Sequence, residues 1–124
     1  MNKRLAVMDL GTNTFHLLIA EGNASDCKEI VHIHDSIKLG EGGINKGIIQ
    51  PEPYQRGIIS LQNFKQEIDK HNVAHVRAIA TSALRNASNG QDFIYEVADK
   101  TGIQIEIING EQEAEYIYKG VLGF

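Results

Sequence analysis

Apolar and polar positions along this chain follow two periods, and the switch between them divides it. Residues Arg4 to Leu10 contain an unbroken apolar run, Leu5-Ala6-Val7-Met8, the pattern of a strand buried on both faces. From Asn13 to Glu21, Phe15, Leu17 and Ile19 fall on alternate positions, which predicts a second strand. Gly11-Thr12-Asn13-Thr14 between them is short enough for a hairpin turn. After a further turn signal, Gly22-Asn23-Ala24-Ser25, Lys28 to Leu39 predicts a third strand, with Ile30, His32 and His34 alternating with Val31, Ile33 and Asp35. Three successive strands joined by short turns predict an antiparallel meander.

The period then lengthens. "LGEGGINKGIIQPEP", with Gly40, Gly42, Gly43 and Gly47, predicts an exposed, mobile loop. Pro51 and Pro53 suit a helix entrance. Tyr54, Ile58, Leu61, Phe64 and Ile68 recur at spacings of three and four, which predicts an amphipathic helix with its stripe turned to the core. "VRAIAT" within Val73 to Thr81 reads as a strand, and "SALRNASNG" as a polar segment with room for one helical turn. Asp92 to Lys100 predicts a helix ending at Gly102, and Ile103 to Ile108 a strand. Asn109-Gly110 opens a last helix with Ala114, Ile117, Tyr118 and Val121 on one face, and Asn109 with Gln112 resembles a capping box. The order is β-β-β-α-β-α-β-α, an α/β unit with a mixed sheet whose later strands are added in parallel by helical crossovers. No repeat, low-complexity tract or linker interrupts it. "YKGVLGF" is still in helical pattern, so Phe124 reads as a boundary inside a longer protein.

Composition narrows the class. The chain has 124 residues, 42% hydrophobic and 23% charged, as expected of one soluble domain. Cys27 is the only cysteine, which forbids an intrachain disulfide and suits a reducing cytoplasm. The apolar run after Met1-Asn2-Lys3-Arg4 breaks at Asp9, so it is no signal peptide, and no run approaches the ~18 residues of a membrane span. A cytoplasmic protein without a membrane partner is expected. The net charge of −4 argues against a nucleic-acid partner, which would show a basic stripe. It is equally awkward for any polyanion, which would need a few local donors or positive charge from another part of the protein.

Three stretches hold candidate chemistry. In "VMDLGTNTFHLLIAE" a carboxylate and a small polar turn stand between two strands that both want burial. Small residues let an anion approach successive backbone N–H groups, and Thr12, Asn13 and Thr14 add side-chain donors. Asp9 beside that cradle suits Mg²⁺, which takes carboxylate oxygens and keeps several waters. The same residues also suit a plain polar hairpin with Asp9 capping its amides. In "ATSALRNASNG" a strand ends at Thr81 and Arg85 follows. Ligands bind at such strand ends, and an arginine can fork onto phosphate oxygens, although a solvated loop arginine reads the same way. In "IINGEQEAEYIYKGV", Glu111, Glu113 and Glu115 crowd a helix start. The macrodipole and a Glu115–Lys119 pair explain most of that. The sharper reading makes Glu111 or Glu113 a general base, and a helix wheel does not choose between them. The five histidines show no metal-ligand spacing. His32 and His34, two apart on one strand face, read as surface or satisfied residues.

Together "DLGTNTFHLLIAE", "IATSALRNASNG" and "EIINGEQEAEYIYKGV" resemble three signatures of the exopolyphosphatase and guanosine pentaphosphate phosphohydrolase family, in order over nearly the whole chain. "LGEG" and the long helix after it fit as well. The resemblance implies a ribonuclease-H-like fold, the half-unit of the actin-like ATPase superfamily. It implies that Gly11, Thr12, Asn13 and Thr14 form a first phosphate-binding loop, with Asp9 near a Mg²⁺ ion. It further implies that Arg85 contacts phosphate and that Glu113 is the base activating water for attack on a terminal phosphate. Expected substrates are inorganic polyphosphate and guanosine penta- or tetraphosphate. The family's second phosphate loop, of the type Asp-x-Gly-Gly-Gly-Ser, has no counterpart here. Residues 1–124 are therefore expected to form one N-terminal lobe of a two-lobed hydrolase. The isolated chain should lack activity without the second lobe, and a homodimer is compatible with this reading. A kinase or ATPase lobe of the same superfamily, and a non-catalytic alarmone-sensing module, are the alternatives. The glutamate-rich helix speaks against the kinase.

Overall fold

Backbone pairing follows the alternation of the first forty residues. The computed structural model describes residues 3–22, 27–42, 47–80 and 82–107. Strands β1 (Lys3–Leu10), β2 (Thr14–Gly22) and β3 (Cys27–Ser36) form the expected antiparallel meander. Helix α1 (Pro51–Lys70) then crosses over to β4 (His75–Ala80), which pairs parallel to β1 with Leu5 beside His75 and Leu10 beside Ala80. Helices α2 (Ser82–Asn86) and α3 (Gly90–Thr101) lead to β5 (Ile105–Ile107), parallel to β4. The sheet order is β3-β2-β1-β4-β5.

Alternation on the strands decides what each sheet face buries. Ala6, Met8 and Leu10 of β1, with Phe15, Leu17 and Ile19 of β2, turn toward α1 and α3. There they meet Ile58, Leu61, Phe64 and Ile68, four of the five positions of the stripe read in the sequence, together with Phe93 and Val97. Tyr54, the fifth, is half-buried at the margin and stacks edge-on against Phe93 at 5.3 Å between ring centres. Its hydroxyl donates to Glu96 Oε1 at 3.0 Å. Burial, the Glu96 hydrogen bond and the nearby carboxylates push the Tyr54 phenol up to about 12. Lys100, 2.8 Å from Glu96 Oε2, holds the Glu96 carboxyl below its ordinary range. The opposite sheet face buries Leu5, Val7, Leu18 and Ile79.

Several boundaries differ from the sequence pattern, each for a physical reason. The third strand ends at Ser36 rather than Leu39. Ile37 and Leu39 are still buried, but their N–H groups leave the β2 ladder to bond the carbonyls of Asn13 and Thr12. Of the glycine-rich segment, Glu41, Gly42, Gly47 and Ile48 are exposed as expected, residues 43–46 lie outside the described residues, and the described flanks on both sides are tied to the body of the fold. Leu39 and Ile49 enter the core. The Asn89 side chain accepts from Ile49 N–H and donates to Ile49 O, both at 2.9 Å, and Ser88 N–H donates to Gly47 O at 2.7 Å. The polar segment after β4 contains the short helix α2, and α3 starts at Gly90, two residues before the expected Asp92. α3 ends as expected at Gly102, whose φ of 77° an L side chain would resist. Strand β5 begins at Ile105 rather than Ile103, and Ile108 lies outside the described residues. The expected last helix and its capping box lie outside the described residues.

Candidate phosphate-binding site

The register of the parallel strands gathers the chemistry-bearing segments. Leu10 of β1 is paired with Ala80 of β4, and Ala80 with Ile107 of β5. Leu10, Ala80 and Ile107 therefore stand level in the sheet, and the turn after Leu10 and the segment after Ala80 that contains Arg85 leave it at one end. That end is the carboxyl end of the parallel strands, where open α/β sheets bind ligands.

The turn itself is closed by Gly11 N–H donating to Thr14 O at 3.1 Å. A Cβ at position 11 would sit 3.1 Å from the same carbonyl, closer than ordinary contact, so a small residue shapes the bend. The carbonyls of Thr12 and Asn13 are turned to the segment after β3. Asn13 O accepts from Ile37 and Lys38 at 2.8 and 2.9 Å, and Thr12 O accepts from Leu39 at 2.8 Å. With these carbonyls held on one side, no backbone carbonyl among the described residues accepts from the N–H of Thr12 or Asn13. Gly11 thus spends its own N–H on the turn, and the amides of Thr12 and Asn13 are not committed to the turn's backbone bonding. Asn13 is exposed, while Thr12 and Thr14 are half-buried.

A second layer holds this turn in place. Arg56 on α1 donates from Nε to Ile37 O at 2.9 Å, and its guanidinium lies 3.1 Å from Glu41 Oε1. The helix therefore pins the 37–41 segment, and that segment pins the turn. Between them runs an open groove of about 480 Å³, lined by Asn13, Ser36, Lys38, Gly40, Glu41 and Gly42. Lys38 is exposed at this groove and has a left-handed backbone, φ 55°. It supplies a cation beside the turn that the sequence pattern does not single out. Its signal is the lysine of "IKLGEG", just ahead of the glycines.

Asp9 is half-buried on β1, opposite His16 of β2 and beside Ile79 of β4. It stands two residues before Gly11, on the sheet face that carries Val7. Arg85 is exposed on α2, directly after the end of β4. Glu111 and Glu113 lie outside the described residues. Among the described residues, no group of three or more His, Cys, Asp or Glu side chains stands ready to hold a metal ion. No described helix is long and apolar enough to cross a membrane.

The fold is shared with known proteins. A family model described as the Ppx/GppA phosphatase family matches residues 18–123. The crystal structure of the Aquifex aeolicus Ppx/GppA family member is similar over 98% of this chain and 40% of its own, with 30% identity and a TM-score of 0.89. An exopolyphosphatase from Cytophaga hutchinsonii is 41% identical, over 96% of this chain and 38% of its own, with a TM-score of 0.87. The chain thus spans about two fifths of the length of these structures. The ethanolamine utilization protein EutJ of Carboxydothermus hydrogenoformans, at 13% identity and a TM-score of 0.53, shares the fold alone. The fold is the expected ribonuclease-H-like α/β half-unit, with a mixed five-stranded sheet. With its family model matched from residue 18 to residue 123 and its fold shared almost end to end, this chain belongs to the Ppx/GppA phosphatase family.

Proposed function

We propose that this chain is the first lobe of a phosphohydrolase that removes the terminal phosphate of inorganic polyphosphate or guanosine pentaphosphate. The observation that carries the reading is the turn after Leu10, whose carbonyls are committed to the segment after β3 while no described backbone carbonyl accepts from the N–H groups of Thr12 and Asn13. Two adjacent amides, flanked by the Thr12 and Thr14 hydroxyls and the Asn13 amide, match an anionic oxygen cluster. Lys38 at the groove and Arg85 after β4 add positive charge at the same end of the sheet, where an arginine can take two phosphate oxygens at once. They answer in part how a chain of net charge −4 accepts a polyanion.

In this reading Glu113 takes a proton from water as the water oxygen attacks the terminal phosphorus. The bond from that phosphorus to the bridging oxygen breaks, orthophosphate departs, and the chain leaves one phosphate shorter. Donors held in place before the reaction stabilise the charge that gathers on the transferring group. A divalent cation is part of the proposal. Asp9 offers one hard carboxylate at a strand end, which fits Mg²⁺ held by a single carboxylate, waters and substrate oxygens. Such an ion would supply neutralisation of phosphate charge.

The second wall of the site would come from another lobe, since no Asp-x-Gly-Gly-Gly-Ser stretch occurs here. The test is orthophosphate release from polyphosphate and from guanosine pentaphosphate, with and without Mg²⁺. The two-lobed protein should release phosphate only with the cation, and residues 1–124 alone should release none. Release by the isolated chain would overturn the two-lobe reading. Failure of the two-lobed protein on both substrates, with retained binding of guanosine pentaphosphate, would favour a sensing module.

A further inference from the structure

Pairing of β2 with β3 produces a cluster that spacing along the sequence conceals. His16 of β2 is the direct cross-strand partner of His34 on β3, and His32 lies two residues before His34 on the same face. All three rings converge. Their centres are 5.7 Å apart for His16–His32, 6.0 Å for His16–His34 and 6.5 Å for His32–His34. His32 and His34 are exposed and His16 is half-buried. β3 is the edge of the sheet, so the cluster is open to the solution.

A β-bulge adds a fourth group. The register shifts between Ile19 and Ala20, so that Ala20 pairs with Glu29 while Leu18 pairs with His32. Without the extra residue, Glu29 and His32, three apart, would point to opposite faces. With it, Glu29 Oε1 comes within 3.2 Å of His32 Nδ1. A carboxylate at Nδ1 fixes the proton there and leaves Nε2 as the free lone pair, the arrangement found behind metal-bound histidines.

We infer that His16, His32 and His34 form a binding site for a divalent transition-metal ion of the Zn²⁺ type, with Glu29 orienting His32. Imidazole nitrogens suit Zn²⁺, Cu²⁺ and Ni²⁺, whereas Mg²⁺ prefers oxygen. A tetrahedral ion with metal–nitrogen bonds of about 2.1 Å holds its imidazole ring centres roughly 5–5.5 Å apart. The observed separations exceed that by up to about 1.5 Å. Among the described residues the site is not preformed; it closes by rotation of the exposed His32 and His34 and the half-buried His16, with a water at the fourth position. Asp9 continues the same row, as the β1 partner of His16. This site does not depend on the phosphohydrolase reading, and its test uses no substrate.

The experiment is calorimetric titration of the full chain with Zn²⁺ alone at neutral pH, repeated on His16→Gln, His34→Gln and Glu29→Gln. Co²⁺ visible absorption on the same proteins is a second readout. One equivalent of Zn²⁺ should bind with a Kd in the micromolar range or below. Each histidine substitution should weaken it by at least tenfold, and Glu29→Gln by about tenfold. Excess Mg²⁺ should leave the bound ion in place, and Co²⁺ should give the intense bands of a tetrahedral nitrogen-rich site. Circular dichroism of the variants separates a lost ligand from a lost fold, since exposed positions should leave the spectrum unchanged. Absence of saturable Zn²⁺ binding, or binding indifferent to His16→Gln and His34→Gln, would overturn the assignment.

Discussion

Glu113→Gln in the two-lobed protein will lower turnover by roughly 10²- to 10⁴-fold while leaving the affinity for polyphosphate nearly unchanged. Glutamine keeps the size and much of the hydrogen bonding of glutamate, but it cannot accept a proton. A group that only helped to bind substrate would show the opposite split, with affinity lost and turnover kept. The position is singled out by the family signature at "NGEQEAEYIYKG", and Glu111 two residues earlier is the control. Steady-state phosphate release and equilibrium binding, measured on both variants, decide between them. If Glu111→Gln abolishes turnover and Glu113→Gln does not, the base is Glu111. If neither changes it, water is activated by another group.

The largest stability effect is expected at Phe93. Phe93→Ala will destabilise the fold by about 3–5 kcal/mol. Phe93 is fully buried, and its ring meets Tyr54 at 5.3 Å and Phe15 at 6.4 Å, both edge-on. Gly57 lets α1 come this close, because a Cβ there would stand 2.9 Å from the Phe93 ring. Removing the ring therefore empties the joint among α1, α3 and β2, with little slack for collapse. A domain of this size has roughly 5–15 kcal/mol in total, so the loss is a large share. Denaturant unfolding should show a lower midpoint with an unchanged slope. A loss below about 1 kcal/mol would mean that the joint repacks and that the aromatic cluster is not the anchor. The same joint bears on the site, since Phe15 directly follows Thr14 and fixes where the turn leaves the core.

Much of this was readable before any coordinates, because the strongest signals were local. The run at Leu5–Met8 and the alternation through Phe15, Leu17 and Ile19 set the first hairpin. The stripe from Tyr54 to Ile68 set α1, and its prolines set its start. What stayed hidden depends on contacts distant in sequence. The glycine-rich segment reads as mobile from its glycines, yet Asn89 bonds Ile49 from forty residues away and Arg56 bonds Ile37 from α1. Lys38 gains its place at the groove only because residues 37–39 fold onto the turn. The histidine cluster needs the pairing of β2 with β3, and Glu29 joins it only through a bulge; neither leaves a mark in the spacing of His16, His32 and His34. In the turn, composition named the residues, but only the hydrogen bonds separate Gly11, which spends its amide on the bend, from Thr12 and Asn13.

The most direct measurement is a crystal structure of the two-lobed protein with a non-hydrolysable polyphosphate analogue and Mg²⁺. Phosphate oxygens about 2.7–3.2 Å from the N–H groups of Thr12 and Asn13 are expected. The Glu113 carboxylate should lie on the far side of the terminal phosphorus, within reach of a water. A polyphosphate bound elsewhere, with those two amides turned into the protein, would contradict the assignment of the turn and of everything built on it.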